Sequence, residues 1–270
     1  MKTAVFLLLF SAQVVAQHHT RLEPATIEVH YHHTMQRDTV RRLATETDSM
    51  ILRIGASASQ FFSRHTFYYD SLWNDPDGRA TAEALTLEAF RTRDHSKEPR
   101  VGTTYDYLYK NYPAGRVTTT NEQFHVACRY DEATPSISWV MADSIRTILG
   151  HPCRMATADF RGRHWTAWFA TDIPVSDGPW KLGGLPGLIL EAYDKGHQYT
   201  FTAVGLERVA EEPIVFTRRG GKNGYRTVDR RAFLKAEMFD LTHGGALGAS
   251  GLKSTDYEPV YMDLIERDYR

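Results

Sequence analysis

Trp180-Lys181-Leu182-Gly183-Gly184-Leu185-Pro186-Gly187-Leu188-Ile189-Leu190 is the stretch on which the fold turns. Its glycines are free to take positive φ or to let another segment approach closely, while Pro186 fixes its own φ and biases Leu185 towards extended backbone. The turn releases into Leu188-Ile189-Leu190, an apolar run of the kind seen in a strand buried on both faces. The stretch reads as built for packing, with Lys181 its one ionisable group and no nucleophile, acid or ligand cluster. Phosphate-binding loops do not fit. A dinucleotide loop follows a strand and opens a helix, whereas these glycines precede a strand. A P-loop ends in Gly-Lys-Ser/Thr, and this one runs Gly-Leu-Ile. No helix N-terminus is aimed at an anion.

On both sides the pattern is strand after strand. Downstream come residues 188–193 and 198–206, joined by Asp194-Lys195-Gly196 as a hairpin connection. Upstream lie β-branched residues 117–120, the alternation of Phe124, Val126 and Cys128, and apolar segments at 137–140, 145–149, 153–160 and 164–171. Residues 27–33 alternate with Val29 and Tyr31 inward, and Met50, Leu52 and Ile54 share a face of another strand. Residues 59–73 are dense in aromatics that suit a core or an exposed contact surface. Asn74-Asp75-Pro76-Asp77-Gly78 is a turn by its chemistry. Residues 81–93, with Thr81 as cap, and residues 229–241, capped by Asp229, read as helices. A glycine-rich loop at 244–251 and a closing strand at 260–265 complete the chain. Consecutive hairpins mean antiparallel pairing. The expected fold is α+β, mainly antiparallel β: a single domain with a curved sheet or half-barrel packed on one or two helices.

Residues around the opening stretch resemble the GLPGLI family, exported proteins of Bacteroidetes named for the Gly184-Leu185-Pro186-Gly187-Leu188-Ile189 signature. Leu149-Gly150-His151-Pro152-Cys153, Ala156-Thr157-Ala158-Asp159-Phe160-Arg161-Gly162-Arg163, Trp165-Thr166-Ala167-Trp168-Phe169 and Ile173-Pro174-Val175-Ser176-Asp177-Gly178-Pro179-Trp180 are similar to the family's approach to its signature. Asp48-Ser49-Met50-Ile51-Leu52-Arg53-Ile54-Gly55 and Ser59-Gln60-Phe61-Phe62 resemble its N-terminal part, and Tyr257-Glu258-Pro259-Val260-Tyr261 its closing strand. His151 departs from the Tyr expected there. The resemblance implies a GLPGLI-family domain over residues 17–270 and a distant similarity in plan to periplasmic lipoprotein carriers. It implies no established activity, substrate or catalytic residue.

Residues 1–16 read as a cleaved signal peptide, with Lys2 as the positive start, an apolar core at residues 4–10 and Val14-Val15-Ala16 before the cut. The apolar run falls short of the roughly 20 residues that span a bilayer. The expected location is the periplasm, or the outer-membrane or cell surface. Formal net charge is −1, and −2 without Lys2; no basic footprint points to nucleic acid.

Cys128 and Cys153 suggest a disulfide by compartment, with two separate buried thiols the competing reading. No Gly-x-Ser-x-Gly elbow or His-Glu-x-x-His motif is present. Asp159 and Asp172, among Arg161, Arg163 and the tryptophans, raise glycosidase-like chemistry, although Asp/Arg pairs near strand ends are commonly structural. Glu28, His30 and His32 share the outer face of a strand, and His18, His19 and His33 make the N-terminal region His-rich. The spacing supplies no further ligand, so a solvated strand face accounts for the pattern and no metal or other cofactor is expected. The function expected is non-enzymatic binding of an apolar ligand or an envelope protein partner. The binding surface is a concave aromatic sheet lined by Trp139, Trp165, Trp168 and Trp180. The alternatives are an exported hydrolase and a metal-binding protein using the N-terminal histidines.

Overall fold

The computed structural model describes residues 19–38, 40, 45–122, 127–210, 212–217, 224–243 and 262–270, with His19 described in its backbone only. The expected leader at 1–16, His18, Phe124 and Val126, the glycine-rich loop and Tyr257 to Tyr261 lie outside them.

The strands are β1 (His19–Pro24), β2 (Ile27–Met35), β3 (Glu46–Ile54), β4 (Ser59–Ser63), β5 (Tyr107–Lys110), β6 (Arg116–Asn121) and β7 (Cys128–Ala133). They continue with β8 (Val140–Ile148), β9 (His151–Phe160), β10 (Arg163–Ala170), β11 (Leu188–Asp194), β12 (Tyr199–Arg208), β13 (Pro213–Thr217) and β14 (Arg226–Thr227). Three helices accompany them: α1 (Arg64–Trp73), α2 (Pro76–Thr92) and α3 (Arg230–Thr242). Twelve strands form one open sheet in the order β14-β7-β6-β5-β4-β3-β2-β12-β11-β10-β9-β8, and β1 pairs with β13 in a separate ribbon. The large sheet is two meanders, β2 to β7 and β8 to β12, welded where β2 runs antiparallel to β12. Its other pairs are antiparallel as well, apart from the parallel β14–β7 contact. The fold is α+β and mainly antiparallel β, as the alternation and hairpin signals predict.

Alternation decides which face is core. Val29, Tyr31, Leu52, Phe61, Leu108, Trp165 and Phe201 all enter one buried cluster, although they come from strands spread across the sheet. The Tyr31 hydroxyl donates to the carbonyl of Ile189 at 2.6 Å, from β2 to β11 across β12, so the sheet curls around this core. On the opposite face Ile51, Phe62, Tyr107, Tyr109 and Phe216 cluster beneath the β1–β13 ribbon and α1. Burying a large apolar side chain of this kind contributes roughly 1.5–3 kcal/mol.

The signature turn works through both properties ascribed to its glycines. Gly184 has φ +85°, the left-handed region. Gly187 lies so close to β10 that a Cβ on it would sit 2.0 Å from the Ala170 carbonyl oxygen. Leu188, Ile189 and Leu190 are fully buried. Lys110 on β5 clamps the approach to this turn, donating to Asp177 Oδ1 at 2.6 Å and to the carbonyls of Gly178 and Leu182.

Several boundaries differ from expectation. The aromatic stretch after β4 continues as α1, capped by Ser63, whose side chain accepts from the Thr66 amide. The Asn74–Gly78 turn chemistry is a helix start: Asp75 caps α2 and Pro76 occupies its first turn, five residues before the expected Thr81. Asp and Pro serve both turns and helix starts, and only the continuation separates them. The segment 137–139 is not a strand; pairing begins at Val140. Among the described residues the expected closing strand at 260–265 shows one bridge, Asp38 with Met262, and residues 263–270 run as an irregular strap. The N-cap of α3 is Asp229, whose carboxylate accepts from the Ala232 amide at 2.9 Å.

Candidate functional site

The concave face is not completely filled. A cavity of about 90 Å³ remains between the sheet and a cover made by α3 and the C-terminal strap, with Leu234 and Glu237 from the helix and Leu264, Ile265 and Glu266 from the strap. By volume it has room for about three waters or one small molecule. Its apolar wall includes Met50, Phe61, Trp180 and Phe201, and its polar groups include His33, Asp106 and Glu237.

Each polar group is positioned by the fold. His33 points inward from β2, stacks on Phe201 with ring centroids 4.2 Å apart, and has Nδ1 2.9 Å from the Thr200 carbonyl. Burial pulls its pKa down to about 4. The neutral ring therefore donates from Nδ1 and keeps Nε2 as an acceptor. Asp106, just before β5, accepts from the Asn121 side chain at 2.7 Å. Burial raises its pKa. Glu237, on the inner side of α3, is pushed up to about 8, first by burial and then by the charge of Asp106. Among the described residues no hydrogen-bond partner meets its carboxyl. Two carboxyls raised by burial, Glu237 also by the charge of Asp106, stand beside a neutral imidazole in a pocket that Arg37, Thr103 and Thr104 line as well, an arrangement expected of a ligand or acid–base site.

The cover is held by charge. Lys181 is buried in the midst of Glu132 on β7 and Glu266 on the strap, with Glu266 Oε1 2.5 Å from its Nζ. Burial opposes the ammonium charge, but Tyr130, Glu266 and Glu132 raise its pKa above the lysine range. Arg161 in the β9–β10 turn reaches Glu132, Glu266 and Asp268, and Arg230 on α3 reaches Glu266 and Asp268. Arg163 on β10 is bonded to Asp194 at 2.7 Å, to Asp263 at 3.0 Å and to the carbonyls of Leu264 and Ile265. The strap thus bridges β7, near one edge of the open sheet, to β10 and the signature turn near the other.

The expected site residues disperse. Trp180 lines the cavity. Trp165 is fully buried between Trp180 and Phe201, and Trp168 lies under the Arg146 guanidinium at 4.1 Å. Trp139 donates from Nε1 to the Gly183 carbonyl at 2.8 Å, bracing the signature turn. Asp159 is exposed and paired with His164 at 2.8 Å, while Asp172 is paired with His151 at 2.8 Å. Asp159 lies on β9 across from His164 near the start of β10, whereas Asp172 follows the end of β10. Cys128 and Cys153 are free thiols, correcting the expected bond: β7 and β9 stand nine places apart in sheet order, so the shared meander assumed for them does not exist. Burial raises both thiols, which removes the thiolate a nucleophile needs. Asp106 and Glu237 carry no sequence signal. Lys181 carries one: an ionisable group inside a run that is otherwise apolar.

A second cavity, of about 410 Å³, is lined by the β3–β4 turn and by Leu182, Gly183 and Gly184 of the signature. Its charged groups, Lys110 with Asp177 and Lys181 with its carboxylates, are already satisfied.

The family comparison falls on this same region. The model of a family described as "Protein of unknown function (Porph_ging)" matches residues 161–191, the stretch holding Arg161, Arg163, Lys181 and the signature turn. No curated protein matches the sequence. Among solved structures, that of PNGF-II in space group P21 is similar, with a TM-score of 0.50 and 12% identity over 78% of this chain and 32% of that one. PNGF-II in space group C2 gives 0.48 and 12% over 79% and 32%. This chain therefore spans about a third of the PNGF-II chain, and at such identity the likeness concerns the fold. Among the described residues, no helix is long and apolar enough to cross a membrane.

Proposed function

We propose that this chain is an exported cell-envelope binding protein of the GLPGLI type. Residues 17–270 act as one domain and take a small ligand, with an apolar body and a polar end, into the cavity beneath α3 and the strap. The observation that carries this reading is Glu237, a carboxyl facing the cavity with no hydrogen-bond partner among the described residues. A half-buried carboxyl with few polar neighbours is poorly solvated, a cost that is offset when a ligand supplies hydrogen bonds. The neutral His33 and Asp106 offer further polar contacts, while Phe61, Trp180 and Phe201 take the apolar part. The volume suits a small molecule and is far below that of an acyl chain.

Native mass spectrometry of the mature protein, purified from its own host's envelope without chelator, tests this. A reproducible added mass, released on denaturation and missing from Glu237→Gln, supports the reading; a bare mass in both proteins sinks it. A hydrolytic reading rests on the same pair, since carboxyls with raised proton affinities are suited to general acid–base catalysis. It predicts turnover of the released compound, abolished in Glu237→Gln and Asp106→Asn.

A further inference from the structure

Glu28 and His30 share the outer face of β2 with the exposed His32, and the local sequence supplies no donor beyond these. The fold supplies one from 177 residues further along the chain. Glu207 on β12 brings Oε1 to 3.1 Å from His30 Nε2, and Glu28 Oε1 lies 3.1 Å from the same nitrogen. All three donor atoms fall within 4.8 Å of one another. We propose that Glu28, His30 and Glu207 form a binding site for a divalent transition-metal ion on the face of the sheet opposite the core cavity.

Three observations carry this. The first is spacing: donors bound at about 2.1 Å in tetrahedral geometry stand about 3.4 Å apart, close to the two 3.1 Å separations.

The second is charge. Glu207 sits directly across from Glu28 in the β2–β12 register, and like charges directly opposite are destabilising. The Arg53 guanidinium is engaged by Glu28 Oε2 at 2.7 Å and by Glu212 at 2.8 Å. That guanidinium is thus shared between Glu28 and Glu212, while Glu28 Oε1 and Glu207 Oε1 converge on a single imidazole nitrogen. That nitrogen can donate at most one hydrogen, whereas a metal ion satisfies all three atoms together.

The third is a β-bulge. Ala203 faces Tyr31, Val204 is skipped, and Gly205 faces His30. Without that extra residue Leu206 would stand across from Glu28; with it, Glu207 does. Bulges characteristically re-aim side chains at sites. The three protein donors leave a coordination position for water, and the mixed imidazole and carboxylate set suits zinc and its neighbours in the first transition row.

The test uses zinc alone. The mature chain is stripped with chelator, dialysed and titrated by calorimetry, with stoichiometry read by native mass spectrometry. One zinc per chain is expected, with affinity falling at least tenfold in Glu207→Gln and in His30→Gln and holding in His32→Gln. Both targeted side chains reach solvent, so these variants retain the wild-type circular dichroism. Zinc should also raise the unfolding midpoint of the wild type and not that of Glu207→Gln. Absence of zinc uptake by the wild type overturns the proposal. So does unchanged uptake by Glu207→Gln and His30→Gln, or a loss that follows His18→Gln/His19→Gln instead.

Discussion

At the scale of single residues, Gly187 and Lys181 show how one position can be set by its neighbours alone. Gly187 has the Ala170 carbonyl where a methyl group would go, whereas at Gly183 the nearest atom would stand at 3.5 Å. Gly187→Ala should lower stability by about 1–3 kcal/mol through overpacking, and Gly183→Ala should change it little. Urea unfolding of the two variants side by side checks the contrast. Lys181→Met would remove the buried ammonium between Glu132 and Glu266, leaving them to Arg161 and Arg230 on one side alone. Removing one partner of a buried pair costs about 3–5 kcal/mol, so the same measurement should show the larger loss here.

At the scale of elements, α3 matters because it carries Glu237 and covers the cavity. Its start rests on the Asp229 cap, so Asp229→Ala should destabilise by about 1 kcal/mol. Amide hydrogen exchange should speed in the first turn of α3 before it does in β10. Acceleration spread evenly over the sheet would mean that the helix is not a separately opening cover. This cap was readable beforehand because an Asp before a periodic apolar run has one good local use. The Asp75-Pro76 start of α2 was not, because the same residues make turns.

At the scale of the whole molecule, the Glu237 carboxyl gives stability a definite pH slope. An unfolded glutamate titrates near about 4.3, and in the fold this group is raised to about 8. The folded state therefore holds the proton more tightly across that window. Its contribution is complete below the unfolded value and is lost as pH rises towards 8. Glu237→Gln should flatten the decline in unfolding free energy between pH 5 and 8; an identical slope in wild type and variant would contradict the placement. The thiols give a check on topology. With Cys128 and Cys153 free, the protein denatured without reductant should titrate two thiols per chain, and a count near zero would restore the bond.

Periodicity two, turn residues and the Asp229 cap determined many of the strands, though not β1, β4, β5, β13 or β14, together with the antiparallel pairing and the last helix, since each depends on residues near one another in the chain. The signature turn belongs with them: positive φ and close approach are demands that glycine announces by itself. Tertiary structure alone decided the weld of β2 to β12, the charged strap and the meeting of Asp106 with Glu237. It also decided that Glu207 stands beside His30, through a bulge at Val204 that no local pattern marks. Those features join residues tens to nearly two hundred positions apart. Their energy comes from burial and charge complementarity across the curled sheet, which the order of residues along the chain does not encode locally.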